Sequence, residues 1–338
     1  MADYRPPFTV TDRIVALIAD ISEQIGKITI QHQGTINPRL RRENRIRTIH
    51  SSLAIEHNTL TIDQVTAIID GKRVLGSPNE IQEVKNAYEA YELMLKLDPN
   101  SVEDLLSAHR LMMKGLVPEN GRFRSKGVGI FDGEQLIHMA PPTDLVPKLI
   151  ADLFEWYKNS EVHPLIKSAV FHYEFEFIHP FADGNGRMGR MWHSLLLGQW
   201  KELFYWLPIE ELIRSKQAEY YNALGKADKS ADSAVFVELM LDIIYSTLKE
   251  MENVSRSTDQ VSDQDTDQDT DQDDNISRLT KVLGDREMSA TDIMTGLGLS
   301  HRPTFRKNYL APALEKGIIE RTIPDKPNSK NQKYRKVK

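Results

Sequence analysis

The sequence predicts a mainly α-helical protein that ends in a small α+β domain. Apolar residues recur at helical spacing through most of the first 250 residues, which predicts a bundle of amphipathic helices. An Asp-Gly pair between two short apolar runs predicts one β-hairpin. After an acidic stretch, the last 60 or so residues read as two helices followed by two short strands. A chain of 338 residues has room for two to three such domains.

The helices of the first 250 residues are marked by apolar stripes and by capping residues. Thr61 and Ser101 stand at predicted N-caps, where a side-chain oxygen can accept a hydrogen bond from the first turn. The stripes cover five segments: residues 10–28, 62–69, 79–97, 166–177 and 188–196.

Composition excludes several classes of protein. The chain has no cysteine, which rules out disulfides, thiolate metal sites and a cysteine nucleophile. It also has no run of 18 apolar residues, and its first residues lack the apolar core of a signal peptide. We therefore expect a soluble, cytoplasmic protein without a membrane segment.

The most informative stretch is the loop between the last two stripes, residues 179–190, which reads HPFADGNGRMGR. A helix that starts near Gly184, Asn185 and Gly186 exposes unpaired N–H groups and the positive end of its dipole, which together form an anion site. The glycines let the backbone approach an anion closely, and Asn185 can add a donor or take a left-handed turn. Arg187 and Arg190 share one helical face and can bind phosphate oxygens.

Two further residues of this loop supply the remaining chemistry. His179 has an ordinary pKa near ~6.5, so at neutral pH it can accept a proton from an attacking hydroxyl. Asp183 precedes the anion site, and a single carboxylate can hold a Mg²⁺ that keeps several waters and bridges phosphates. The loop therefore predicts a site for a magnesium-bound nucleotide triphosphate.

Residues 179–190 resemble the signature of the Fic family, H-x-F-x-[DE]-G-N-G-R-x-x-R, at every position. The resemblance implies a Fic-type helical bundle that transfers AMP from ATP to a Ser, Thr or Tyr hydroxyl of a protein, including the enzyme itself. It implies that His179 is the base and that Asp183 holds Mg²⁺ on the α- and β-phosphates. Residues 184–187 would cradle these phosphates, and Arg190 would contact the γ-phosphate.

The resemblance extends to an upstream inhibitory helix at about residues 40–57. Relatives carry [ST]-x-x-x-E-[GN] there, and Ser52 and Glu56 match this motif. The implied role of Glu56 is to pair with Arg190 and deny that arginine to the γ-phosphate. His57 stands where glycine or asparagine is usual, so the sequence leaves open how this helix ends.

The predicted hairpin, with its turn at Asp132-Gly133, corresponds to the flap that Fic proteins place over the active site. The resemblance implies that an extended target segment pairs with its edge. An ordinary surface hairpin is the alternative. The candidate docking residues are Ile137, His138 and Met139. Tyr220 and Tyr221 are similar to a family pair that lines the nucleotide pocket, with core packing as the alternative.

Charge is strongly segregated in the last third of the chain, although the net charge is only -6. Residues 252–275 hold nine acidic residues against one arginine, and we predict an extended, disordered linker over 251–276. The basic segment that follows fits a winged helix, and its predicted recognition helix would present four residues to DNA: His301, Arg302, Arg306 and Lys307. Winged helices also bind proteins, so the partner stays open.

Together these patterns predict a helical region with the inhibitory helix (1–100), a catalytic core (101–250), the linker, and a winged-helix domain (277–338). Two other functions stay open. One keeps the scaffold but transfers another phosphate-linked group, and the other is a transcription regulator that senses a nucleotide. A homodimer is a further expectation.

Overall fold

The computed structural model describes residues 4–31, 38–132, 135–262, 268–284, 286–297, 305, 309–323 and 332–337. The chain forms two compact units, Met1–Glu252 and Asn253–Lys338. The first is built almost wholly from helices, and the second combines helices with a small sheet. The predicted fold class, mainly α with an added α+β unit, is confirmed.

Helices and one hairpin make up the N-terminal unit. In chain order the elements are α1 (Asp12–Gln31), α2 (Pro38–Ile55), α3 (Ile62–Ile69), α4 (Pro78–Met94), α5 (Val102–Met112), β1 (Gly129–Asp132), β2 (Gln135–Met139), α6 (Val146–Asn159), α7 (Pro164–Ile178), α8 (Asn185–Trp200), a 3-10 turn (Glu202–Trp206), α9 (Ile209–Ser215), α10 (Gln217–Ser230) and α11 (Ala234–Ser262). Across the described ranges, every helix is too short or too polar to cross a bilayer.

Two of the predicted N-caps are confirmed by their hydrogen bonds. The Thr61 side chain accepts from the backbone N–H of Gln64, whose side chain in turn accepts from the Thr61 N–H, forming a capping box. Ser101 accepts from the N–H of Asp104 at 3.1 Å. These caps fix where α3 and α5 begin.

Helix α7 lies at the centre of the unit, and twelve of its 15 residues are buried. One side, with Phe171 and Phe175, packs into the cluster formed with α2, α4, α5, α6 and α8. The opposite side, with Ala169 and Tyr173, packs into the cluster formed with α1, α10 and α11. Because helices cover both sides, α7 is buried nearly all round, and the loop that follows starts from a packed helix end.

Strands β1 and β2 form the predicted antiparallel hairpin. Gly129 pairs with Met139, and Asp132 pairs with Gln135. The turn residues Gly133 and Glu134 lie outside the described residues, as do the side chains of Ile137 and His138. Met139 is 63% exposed, so at least this candidate docking residue faces solvent.

The C-terminal unit contains α12 (Gln268–Leu283), β3 (Met288–Ser289), α13 (Ala290–Gly296), α14 (Ala311–Glu315), β4 (Ile319–Arg321) and β5 (Lys333–Lys336). The strands form an antiparallel sheet in the order β3-β5-β4. Leu279, Ile293, Phe305 and Tyr334 belong to its core. The four candidate recognition residues, His301, Arg302, Arg306 and Lys307, lie outside the described residues.

The acidic segment differs from the extended linker predicted for residues 251–276. Helix α11 continues to Ser262, and α12 already begins at Gln268, with residues 263–267 outside the described part.

Candidate active site

The loop between α7 and α8 reverses direction through two left-handed residues. His179 ends α7 with φ 48°, and Gly184 is the N-cap of α8 with φ 83°. Between them, the Asn185 side chain accepts from the N–H of Phe181 and donates to its carbonyl, both at 2.8 Å. The Asn185 side chain therefore closes the loop, and its predicted role as a phosphate donor stays a prediction.

His109 on α5 supports the same loop, a role that could not be predicted from a histidine on an apolar helix face. Its ring stacks on Phe181, with 3.6 Å between centroids, and its Nε2 lies 3.0 Å from the carbonyl oxygen of Asp183. Its Nδ1 accepts from the N–H of Gly121 at 2.9 Å. One nitrogen accepts and the other faces a carbonyl, so the ring is neutral and its Nε2 carries the proton. Burial lowers the pKa of His109 to about 4.

We expect the N-terminal unit to lose stability on acidification, partly because of His109. Its folded-state pKa of about 4 lies below the ordinary value, so between these pH values the unfolded chain binds more protons. The free energy of unfolding should therefore fall as pH drops from 7 to 4, by about 3 kcal/mol for this one group. Urea unfolding followed by tryptophan fluorescence measures the free energy of unfolding of this unit, because all four tryptophans lie before residue 252.

A variant comparison isolates the contribution of His109. Burial raises the pKa values of Glu176 and Glu210, and these carboxyls act in the opposite direction, since they bind protons more readily in the folded state. His109→Gln removes only the contribution of His109, so the stability of this variant should depend less on pH than that of the parent protein. His57→Asn, at an exposed position, is the matched control. If the free energies of unfolding of the parent and of His109→Gln changed with pH in parallel, the assignment of His109 as a buried neutral histidine would be contradicted.

Arg187 and Asp183 lie together at the amino end of α8. The Arg187 Nη2 atom is 3.3 Å from Asp183 Oδ1, and its Nη1 is 3.4 Å from Oε1 of Glu83 on α4. Arg187 is buried, whereas the Asp183 side chain is 55% exposed. An exposed lone carboxylate beside a helix amino end fits a Mg²⁺ whose other ligands are water and phosphate oxygens. Among the described residues, no group of three His, Asp or Glu could hold a metal by itself.

Arg190 is buried and held by two residues from α2 and the turn after it. Its Nη2 lies 2.7 Å from Glu56 Oε1, and its Nε donates to Ser52 Oγ at 3.1 Å. Burial acts to raise the pKa of Glu56, but the charge and hydrogen bond of Arg190 outweigh it and lower that pKa. Burial likewise opposes the charge on Arg190, yet Glu56 raises its pKa. The contact between Glu56 and Arg190 that the resemblance implied is therefore present, as a charged pair.

Glu56 follows α2 in a tight turn that explains the residue after it. The N–H of His57 bonds to Ala54 O at 3.1 Å, and the N–H of Asn58 bonds to Leu53 O at 3.1 Å. This is the Schellman pattern, in which the residue corresponding to His57 is left-handed. His57 has φ 69°, so the position usual for glycine or asparagine is a left-handed one.

Gly186 shows where the Glu56 carboxylate lies. A Cβ built on Gly186 would come within 2.5 Å of Glu56 Oε1 and 3.0 Å of Arg190 Nη1. The carboxylate thus rests against the first turn of α8, where the sequence predicts a phosphate. A side chain at 186 would displace the Glu56 carboxylate, so the glycine there allows the contact between Glu56 and α8.

The two tyrosines of α10 differ from each other. Tyr220 is buried, and its hydroxyl lies 3.0 Å from Nε2 of His172 on α7. Tyr221 is half-buried and packs edge-on against Tyr220. For Tyr220 the structure favours the alternative of core packing, whereas Tyr221 stays a candidate for the nucleotide pocket.

The fold and this loop define a class of protein: a helical bundle in which a loop that begins with a histidine leads into a helix that carries two arginines in its first turns. Residues 97–197 match the Fic/DOC family, and residues 274–336 match the family described as filamentation induced by cAMP protein Fic-like, C-terminal domain. A crystal structure of a Fic family protein from Desulfovibrio desulfuricans G20 is 56% identical, with a TM-score of 0.74, and the match covers 99% of this chain and 98% of that one. The chain belongs to the Fic family.

More distant relatives carry a named activity. The protein adenylyltransferase Fic of Drosophila melanogaster is 31% identical over 224 residues, which cover 62% of this chain and 42% of that protein. The chain thus spans less than half the length of this relative. Fic-1 from C. elegans shares the fold, with 22% identity, a TM-score of 0.58 and coverage of 73% and 72%.

Proposed function

We propose that this protein transfers AMP from ATP to a Ser, Thr or Tyr hydroxyl of a protein, and that Glu56 restrains the reaction. The observation that carries the proposal is the loop after α7, which brings His179 and Asp183 to the amino end of α8 beside Arg187 and Arg190. The activity named for the Drosophila relative supports the same reaction.

In the proposed reaction the hydroxyl oxygen forms a bond to the α-phosphorus of ATP. The bond between that phosphorus and the bridging oxygen to the β-phosphate breaks, and pyrophosphate leaves. His179 takes the hydroxyl proton, a role that contributes ~10²–10⁴ in rate. The N–H groups of residues 184–187 orient the phosphates, so the chain acts mainly by positioning and charge neutralisation.

Asp183 is the residue that would hold Mg²⁺, since its carboxylate is exposed at the mouth of the anion site. When bound, the ion would neutralise negative charge on the phosphates of ATP. The proximity of Arg187 to Asp183 places a fixed positive charge beside the same phosphates.

The proposed restraint follows from the competition for Arg190. While Glu56 occupies Nη2 of this arginine, the γ-phosphate of ATP lacks the contact, and the carboxylate adds negative charge where the phosphates would lie. Both effects disfavour the productive pose of the triphosphate without blocking the whole pocket.

Intact-mass spectrometry of the purified Glu56→Gly protein after incubation with ATP and Mg²⁺ tests the function. We expect self-modification by AMP, an adduct far heavier than a phosphate. A phosphate adduct would instead support transfer of another group. Unmodified protein, alone and with a host lysate as a source of targets, would support the nucleotide-sensing regulator.

For the C-terminal unit we propose binding to a nucleic acid. Arg321, Lys333 and Lys336 are exposed on the paired strands β4 and β5, and the segment from 276 onwards holds fourteen Lys or Arg against six acidic residues. Such a surface binds polyanions with steep salt dependence. A mobility shift of random duplex DNA that weakens as salt rises is expected, and the absence of any shift at low salt would favour a protein partner.

A further inference from the structure

Arg124 is a buried cation outside the motif, and within the described part of the chain its guanidinium hydrogen bonds go to backbone carbonyls. It lies between α5 and β1 and is only 3% exposed. A charge buried in this way is costly unless each donor has a partner. The three segments that supply these carbonyls therefore depend on it.

The first segment is the start of the catalytic loop. Arg124 donates from Nε to the carbonyl of His179 at 2.7 Å and from Nη2 to the carbonyl of Ile178 at 3.4 Å, and its own N–H bonds to Pro180 O at 2.9 Å. The last carbonyls of a helix lack intrahelical partners and carry partial negative charge. Arg124 thus caps α7 and holds His179 in its left-handed conformation, which is unfavourable for a residue with a Cβ.

The other two segments are the two ends of the hairpin. Arg124 donates from Nη1 to the carbonyl of Lys126, just before β1, at 3.2 Å. It also donates from Nη2 to the carbonyl of Pro141, just after β2, at 2.5 Å. One planar group therefore ties both ends of the flap to the backbone of the histidine.

We propose that Arg124 is a positioning residue that fixes His179 relative to the base of the flap, so that a hydroxyl presented at the flap meets the imidazole in the correct geometry. The inference rests on the proposed function. Lysine is a poor substitute, because one ammonium nitrogen cannot span three segments as a guanidinium fork does. The amino end of α8 makes none of these contacts, so ATP should bind normally without Arg124.

The experiment uses Arg124→Lys and Arg124→Ala in the Glu56→Gly protein, with Arg122→Lys, two residues away and exposed, as the matched control. At saturating ATP and Mg²⁺ we expect the rate of self-modification to fall roughly 100-fold in both Arg124 variants, because a small misplacement of a catalytic group has effects of this size. ATP affinity measured by calorimetry should change less than about threefold, and millimolar guanidinium chloride should restore part of the rate of Arg124→Ala.

A second readout does not depend on activity. In ¹³C-histidine NMR, the ring signal of His179, assigned with His179→Asn, should move in Arg124→Lys and stay in place in Arg122→Lys. An unmoved His179 signal, a rate equal to that of Arg122→Lys, or a loss of ATP affinity as large as the loss of rate would each overturn the proposal. If Glu56→Gly transfers no AMP while the His179 signal still moves, the proposed function fails and the positioning role stands.

Discussion

Replacement of His179 is expected to abolish AMP incorporation while leaving ATP binding intact. In the Glu56→Gly background, His179→Ala should lower the rate by ~10²–10⁴, the usual contribution of a general base. The anion site is made by the amino end of α8 and its arginines, so removal of the imidazole leaves the phosphate contacts in place. Label transfer from radioactive ATP gives the rate, and calorimetry gives the affinity.

A second substitution at His179 controls for the conformation of its backbone. Because this residue is left-handed, alanine could lower the rate through a displaced loop rather than through the missing base. Asparagine tolerates left-handed backbone better than most residues, so His179→Asn removes the base and keeps the turn. Equal losses in both variants are expected. His163→Asn, at the other end of α7, should keep full activity because asparagine is also a good N-cap. Substantial activity in His179→Asn would contradict the assignment.

Much of the site could be predicted because its parts are contiguous in sequence. A histidine at the end of one helix and a Gly-Asn-Gly run at the start of the next are separated by so few residues that they stay within about 17 Å, whatever the rest of the fold does. The hairpin was predictable for the same reason, since Asp-Gly between apolar runs is a local signal. The pairing of Glu56 with Arg190 spans 134 residues and followed only from the family resemblance.

The residues that support the loop could not be predicted from residue types alone. Arg124 and His109 act on backbone carbonyls, which every residue has, so no partner side chain marks them in the sequence. Asn185 matched the motif, but the hydrogen bonds by which its side chain closes the loop could not be predicted from it. The helices that extend into the acidic segment could not be predicted from its composition, which reports only the net repulsion between carboxylates.

Loss of the Glu56 carboxylate is expected to raise the rate of self-modification roughly 10- to 100-fold, since a hydrogen bond to a charged partner is worth ~1.5–3 kcal/mol. Glu56 lies in the turn after α2, so Glu56→Gly avoids the cost of glycine inside a helix. Glu56→Gln, which keeps the shape and loses the charge, should release the enzyme partly. Glu43→Gln, an exposed carboxylate on the same helix, should match the parent protein.

Glu56→Gly should also change stability in a way that distinguishes a restraint on ATP binding from a merely structural ion pair. Without Glu56, Arg190 stays buried and keeps its hydrogen bonds to the Ser52 hydroxyl and carbonyl but loses its carboxylate hydrogen bond, so the unfolding midpoint without nucleotide should fall. ATP with Mg²⁺ should then raise the midpoint of Glu56→Gly more than that of the parent, because the γ-phosphate can supply the missing charge and binds only the folded protein. Equal shifts with ATP in the two proteins, measured by thermal unfolding, would mean that Glu56 and the triphosphate do not compete for Arg190.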